Sequence, residues 1–274
     1  MSKPKHRKLS APVKSDPTNW KHYRLWKRVC EAIRSLPDHF KSTTVIEGML
    51  ATDIFTLNAA LDATIEEQVV YSLNGLRSVW DSDKKYQTYA FVRQSQTFPD
   101  VVLRRKTNGQ EILMGIELKG WYLLAKEGMP NFGFTVTPKC CNPWDLIVVV
   151  PWALSNVLAG IPVAYASFLE SAQYAAKQRN FYWQHEREAK SGATVTLAKR
   201  VGPYPKKSDQ ISDRAANDAG GNFGRLARYG IMGEYVNDMK QVPLRGVSVS
   251  AWLSFFHRHA LEPSVSQNEP VVGD

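Results

Sequence analysis

Two apolar runs of strand length, Phe98-Pro99-Asp100-Val101-Val102-Leu103-Arg104-Arg105 and Glu111-Ile112-Leu113-Met114-Gly115-Ile116-Glu117-Leu118-Lys119-Gly120-Trp121, flank the polar segment Lys106-Thr107-Asn108-Gly109-Gln110. Asn-Gly between apolar runs is a strong hairpin signal, so the runs are expected to pair as adjacent antiparallel strands. Asp100 lies eight residues before Asn108 and Glu117 nine after it, which brings the two carboxylates side by side. Strand alternation puts Glu117 and Lys119 on one face and Leu118 on the other. Two carboxylates and an ammonium on one pleated face make a poor core, because each buried charge needs a partner. A divalent cation would supply one, and hard oxygen donors suit magnesium. The plainer reading is a solvated edge hairpin, whose cross-strand Glu–Lys pair is worth under about 1 kcal/mol. Ile116, Leu118, Gly120 and Trp121 argue against an exposed edge.

Pro99-Asp100 followed by Glu117-Leu118-Lys119 on a hairpin resembles the signature of the PD-(D/E)xK nuclease superfamily. The resemblance implies an α/β, restriction-endonuclease-like core, with a central mixed sheet flanked by helices. It also implies a magnesium ion held by Asp100 and Glu117 with the Leu118 carbonyl, and Lys119 acting on the attacking water and the scissile phosphate. The superfamily commonly adds a glutamate from the helix before the hairpin. Glu66 borders the apolar face formed by Ile65, Val69, Val70, Leu73, Leu76 and Val79, whereas Glu67 lies almost opposite it, so Glu66 is the candidate. A compact chain without helicase motifs most resembles a type II restriction endonuclease, cutting double-stranded DNA as a homodimer. Two alternatives stay open. One is a less specific nuclease of repair or of defence against phage and mobile elements. The other is a DNA-binding protein that keeps the fold without catalysis, against which the intact Asp100, Glu117 and Lys119 speak.

Charge points the same way. Residues 1 to 28 carry nine cations (Lys3, Lys5, Arg7, Lys8, Lys14, Lys21, Arg24, Lys27 and Arg28) against Asp16, which accounts for +8 of the net +9 of the 274-residue chain. A basic arm suits phosphate binding or steering, and equally a solubilising tail. Residues 1–19 are expected to be a disordered arm, 20–262 a single nuclease domain with a DNA-recognition extension from about residue 194, and 263–274 a flexible tail. Cys30, Cys140 and Cys141 have neither metal spacing nor a disulfide framework, which fits a reducing cytoplasm. The N-terminal charge has no apolar segment behind it, so no secretory signal is expected.

The uncharged stretch from Leu146 to Leu169 is long enough to pass a crude membrane filter, but Pro151, Gly160 and Pro162 break it. Leu146–Val150 reads as a buried strand ending at Pro151, and Ile161–Tyr165 as a second strand. Helices are expected over Trp20–Leu36, stopped by Pro37, over nearly all of residues 45–61, and from a fresh start at Asp62-Ala63-Thr64 to about Trp80. Tyr86–Gln94 reads as the first strand of a meander. Thr135–Asn142 reads as a short helix or irregular crossover, and Ser167–Lys190 as the longest helix. In the extension, Lys206 and Lys207 suit phosphates, Arg214, Arg225 and Arg228 guanine edges, and Asn222 an adenine edge. There is no Walker-type spacing, hence no expected nucleotide cofactor, and His257 and His259 read as a surface pair.

Overall fold

The computed structural model describes residues 10–94, 97–107, 111–187 and 193–259. Its centre is a curled mixed sheet flanked by helices. Strands β1 (Tyr89–Arg93), β2 (Val101–Arg105), β3 (Ile112–Tyr122) and β4 (Leu146–Leu154) lie side by side in chain order. The first three form the expected antiparallel meander, and β4 runs parallel to β3. The hairpin tip, Asn108–Gln110, lies outside the described residues. Strands β5 (Pro162–Ala164) and β6 (Phe168–Ser171) pair antiparallel with the C-terminal and N-terminal halves of β4. Because β3 occupies one edge of β4, the two short strands follow one another along its other edge.

All nine residues of β4 are buried, which is what its β-branched run requires of a strand enclosed by the sheet. The strand does not stop at Pro151 as the sequence led us to expect. Pro151 lies opposite residues 165–167, between β5 and β6, so its missing N–H falls where the neighbouring edge has no strand. Its carbonyl accepts the Tyr165 N–H at 2.8 Å. The crossover from β3 to β4 carries no α-helix, only a 3-10 turn at Pro138–Cys140. Leu123, Leu124, Phe132 and Phe134 bury themselves instead and hold the crossover to the body.

Helix α1 (Tyr23–Arg34) buries Leu25, Val29 and Ile33, one residue per turn. Pro37 does not end a helix but sits in the first turn of the short α2 (Leu36–His39), where a missing N–H has no helical partner to lose. Helix α3 (Leu57–Gly75) is one continuous element of 19 residues. Neither Gly nor Pro interrupts it before Gly75, and Ala59, Ala60 and Ala63 favour it. The expected fresh start at Asp62 is therefore absent. Asp62 lies inside the helix, one turn before Glu66, while residues 45–50 are irregular. Helix α4 (Arg77–Trp80) follows. The predicted long helix from Ser167 is also corrected: Phe168–Ser171 pair with β4 first, and α5 (Ala172–Phe181) begins only where Ser171 Oγ accepts the Tyr174 N–H. A π-helical turn, Tyr182–Glu186, ends it, and Lys190 lies outside the described residues.

From residue 10 onward the basic arm has a defined course along β6 and α5, where none was expected. Lys14 Nζ pairs with Glu170 Oε2 at 2.5 Å, and Ser15 Oγ donates to Gln173 at 3.1 Å. Residues 1–9 and 263–274 lie outside the described residues. Among the described residues no helix is long and apolar enough to cross a membrane. The uncharged stretch that raised the question is β4, β5 and the beginning of β6.

Candidate active site at the edge of β3

Gly115 sets the geometry. A Cβ there would stand 2.3 Å from Pro99 Cγ, so only glycine lets the Pro99-Asp100 segment lie against β3. Val101 pairs with Ile116, which brings Asp100 beside Glu117. Strand β2 begins at Val101, so the edge of β3 beyond that point has no ladder partner on this side. Asp100 takes over: its Oδ2 accepts the Leu118 N–H at 3.0 Å. In a strand a residue's N–H and C=O point the same way, so the Leu118 carbonyl faces this edge as well.

The carboxylates crowd one another. Glu117 is pushed well above the ordinary range by burial, then by Asp100, against the opposing effect of the Asp100 backbone N–H. Burial also raises Asp100, opposed by the Leu118 N–H, Arg93 and Lys119. Glu117 Oε2 is buried with no hydrogen-bond partner. Helix α3 brings two more acids, one helical turn apart. Glu66 is raised to about 7, by burial first and then by Asp62. Its Oε2 accepts from Arg93 Nη2 at 3.1 Å, and its Oε1 lies 3.8 Å from Lys119 Nζ. Glu67 is exposed, as helical phase predicted.

The lysine is held differently from the expected arrangement. Its ammonium pairs with Asp62 Oδ2 and approaches Glu66, and no ion pair joins it to Asp100 or Glu117. Asp62 and Arg93 are thus members of the cluster that the sequence reading missed. In the sequence Asp62 reads as a helix start, although its spacing of four from Glu66 is a usable signal. Arg93 pairs with Val101 across the sheet, one step from Asp100, and that neighbour relation is visible only once register is known.

The donor set fits a hard cation in chemistry: two adjacent carboxylates, one with a buried unbonded oxygen, and a backbone carbonyl on the same edge. Among the described residues no three His, Cys, Asp or Glu side chains converge to hold an ion. The fit therefore rests on Asp100, Glu117 and the Leu118 carbonyl alone.

The candidate DNA-contacting residues lie on a segment clasped firmly to the body. Arg179 of α5, fully buried, donates to the Phe134 and Val136 carbonyls at 2.7 and 3.1 Å and to Asp213 Oδ2 at 2.8 Å. Asp213 is equally buried, and its Oδ1 accepts the Ala198 N–H. Tyr204 OH donates to Asp145, whose carboxylate also accepts the Gly115 and Asn142 N–H groups. From this base Lys206, Lys207, Arg214 and Arg228 are exposed, and Arg225 is half-buried. Arg214 stands in a short ribbon of β7 (Val195–Thr196) and β8 (Arg214–Ala215). The Asn222 amide is engaged inside its own loop, accepting from Arg228 and donating to the Ala219 carbonyl at 2.9 Å. An adenine edge would have to displace both contacts.

No protein-family model matches this chain, and no curated protein is detectably similar to it.

Proposed function

We propose that this chain is a PD-(D/E)xK-type nuclease that hydrolyses phosphodiester bonds in double-stranded DNA with magnesium, acting as a sequence-specific endonuclease of the type II restriction class. One observation carries the reading: Asp100 and Glu117 adjoin across β2 and β3, with Glu117 Oε2 buried and unbonded, and Lys119 two residues further along the same strand. A buried carboxylate oxygen without a partner is costly in a purely structural hairpin, and a cation ligand role accounts for it.

Asp100, Glu117 and the Leu118 carbonyl would hold the magnesium, which when bound lowers the pKa of water and offsets charge on the scissile phosphate. Lys119 has three N–H donors, and those not directed at Asp62 and Glu66 are available to orient the attacking water or to bond a phosphate oxygen. Glu66 bridges Lys119 and Arg93, fixing two cations beside the carboxylates. Exposed Lys206 and Lys207 suit phosphate oxygens, and Arg214, Arg225 and Arg228 suit base edges. Cutting both strands needs two such centres, which a two-fold homodimer on a palindromic site supplies.

The test is digestion of unmethylated phage DNA with magnesium, with EDTA and Lys119→Ala as controls. Discrete fragments support the sequence-specific reading, and a smear supports a nuclease of low specificity. Intact DNA after prolonged incubation of the wild-type protein with magnesium would reject the nuclease assignment.

A further inference from the structure

We propose that Asp62 is a positioning residue for Lys119, and that Gly120 provides the space its carboxylate occupies. The proposal rests on the nuclease reading above and adds a residue to it.

Two independent observations meet at this point. Lys119 Nζ bonds Asp62 Oδ2, while Glu66 Oε1 stays at 3.8 Å. Glu66 is in turn committed to Arg93 through its other oxygen. Asp62 is therefore the principal anchor of the ammonium. Separately, a Cβ on Gly120 would lie 3.1 Å from Asp62 Oδ1, closer than side chains ordinarily tolerate. The other neighbours of that Cβ, Ile65 Cγ2 at 3.5 Å and Trp152 Nε1 at 3.6 Å, are at ordinary contact distance. Gly120 thus makes room for Asp62 in particular. Asp62 Oδ1 is itself buried without a hydrogen-bond partner, so the carboxylate is engaged through Oδ2, by Lys119.

The chemistry follows from the lysine. Its long stem samples many rotamers, and a free ammonium would spend little time at one place. A carboxylate on a rigid 19-residue helix narrows that choice before substrate arrives. Asp62 touches neither water nor phosphate in this role and acts only through Lys119.

The experiment is a cycle of Asp62→Ala, Gly120→Ala and the double variant, with Asp62→Asn as the conservative substitution. Single-turnover cleavage in magnesium is read beside DNA affinity in calcium and the melting temperature. Asp62→Ala should slow the chemical step by about ten- to a hundredfold, as misplacement of a catalytic group does, with affinity changed less than about twofold. Asp62→Asn, which keeps an acceptor for the ammonium, should recover part of the loss. Gly120→Ala should slow the step too, and the double variant should be no slower than Asp62→Ala, since the added methyl has lost the group it displaces. Additive losses in the double variant, or a rate loss matched by equal losses in affinity and melting temperature, would overturn the proposal. If the wild type cleaves and Asp62→Ala cleaves as fast, the Asp62 role alone falls. If the wild type does not cleave, the nuclease reading falls and this proposal with it.

Discussion

Two clusters of charge in this molecule, one fully buried and one half-buried, are resolved in opposite ways. Around Arg179 every donor meets an acceptor: two backbone carbonyls, the Asn180 amide oxygen and the Asp213 carboxylate, with the Phe223 ring 4.5 Å from the guanidinium. At the edge of β3 the balance is wrong. Asp62, Glu66, Asp100 and Glu117 face two cations, and Glu117 Oε2 and Asp62 Oδ1 are left unbonded. The first cluster is a clasp that ties the segment from residue 194 to the crossover and α5. The second has acidic oxygens to spare, which supports the cation-binding role proposed for it. Satisfaction, rather than the number of charges, distinguishes the two clusters.

The comparison breaks most readily at the clasp. Arg179→Ala should cost about 3 to 5 kcal/mol, because it leaves Asp213 buried and uncompensated, and a denaturant titration measures it. Replacing Arg179 and Asp213 together by apolar residues of similar volume should cost much less. Equal losses in the single and double variants would mean that the ion pair is not what holds the segment.

At the acidic edge the effects should appear in rate rather than in stability. Lys119→Ala is expected to slow cleavage at least about a hundredfold while calcium-supported binding survives. Glu66→Ala should impair cleavage more than Glu67→Ala, since only Glu66 reaches Lys119 and Arg93. Similar small effects on both would detach α3 from the site.

A pH series in EDTA sharpens the contrast. Glu66 binds its proton more tightly folded, near pH 7, than at its ordinary value of 4.5. The folded state therefore holds the extra proton between those values. The stability this contributes is complete below about pH 4.5 and is lost as pH rises through 7, amounting to at most about 3 kcal/mol. Glu66→Gln should flatten that decline, and magnesium should raise the melting temperature most at the alkaline end, where the carboxylates are ionised. A melting temperature independent of pH from 5 to 8 in EDTA would contradict the crowding described here.

The smallest effects belong to the surface. Lys206→Ala and Lys207→Ala should each flatten the log-affinity against log-salt slope by about 0.9 without changing sequence preference. Arg225→Ala should instead cost roughly 1 to 3 kcal/mol on the preferred duplex and less on a scrambled one. Asn222→Ala tests whether the loop opens on binding, because its amide is engaged with Arg228 and Ala219. No change in specificity would leave it a loop brace.

The sequence alone determined what depends on neighbours along the chain. The turn residues and two apolar runs gave the β2–β3 pairing, and counting from Asn108 brought Asp100 near Glu117, while a register shift between Leu103 and Arg104 that the sequence does not announce sets the final alignment. Helical phase, also local, separated Glu66 from Glu67. Tertiary structure decided what depends on partners distant in sequence. Pro151 continues a strand because it falls opposite the gap between β5 and β6, where no ladder bond needs its missing N–H, and Phe168–Ser171 became a strand because β4 offered an edge to pair with. Asp62 reaches Lys119, 57 residues away, because α3 starts at Leu57 and packs on β3. Nothing in the sequence links Arg179 to Asp213, 34 residues away, and only the fold shows them buried and matched. Local propensity and period are written residue by residue, whereas burial and charge partnership exist only after the chain has closed on itself.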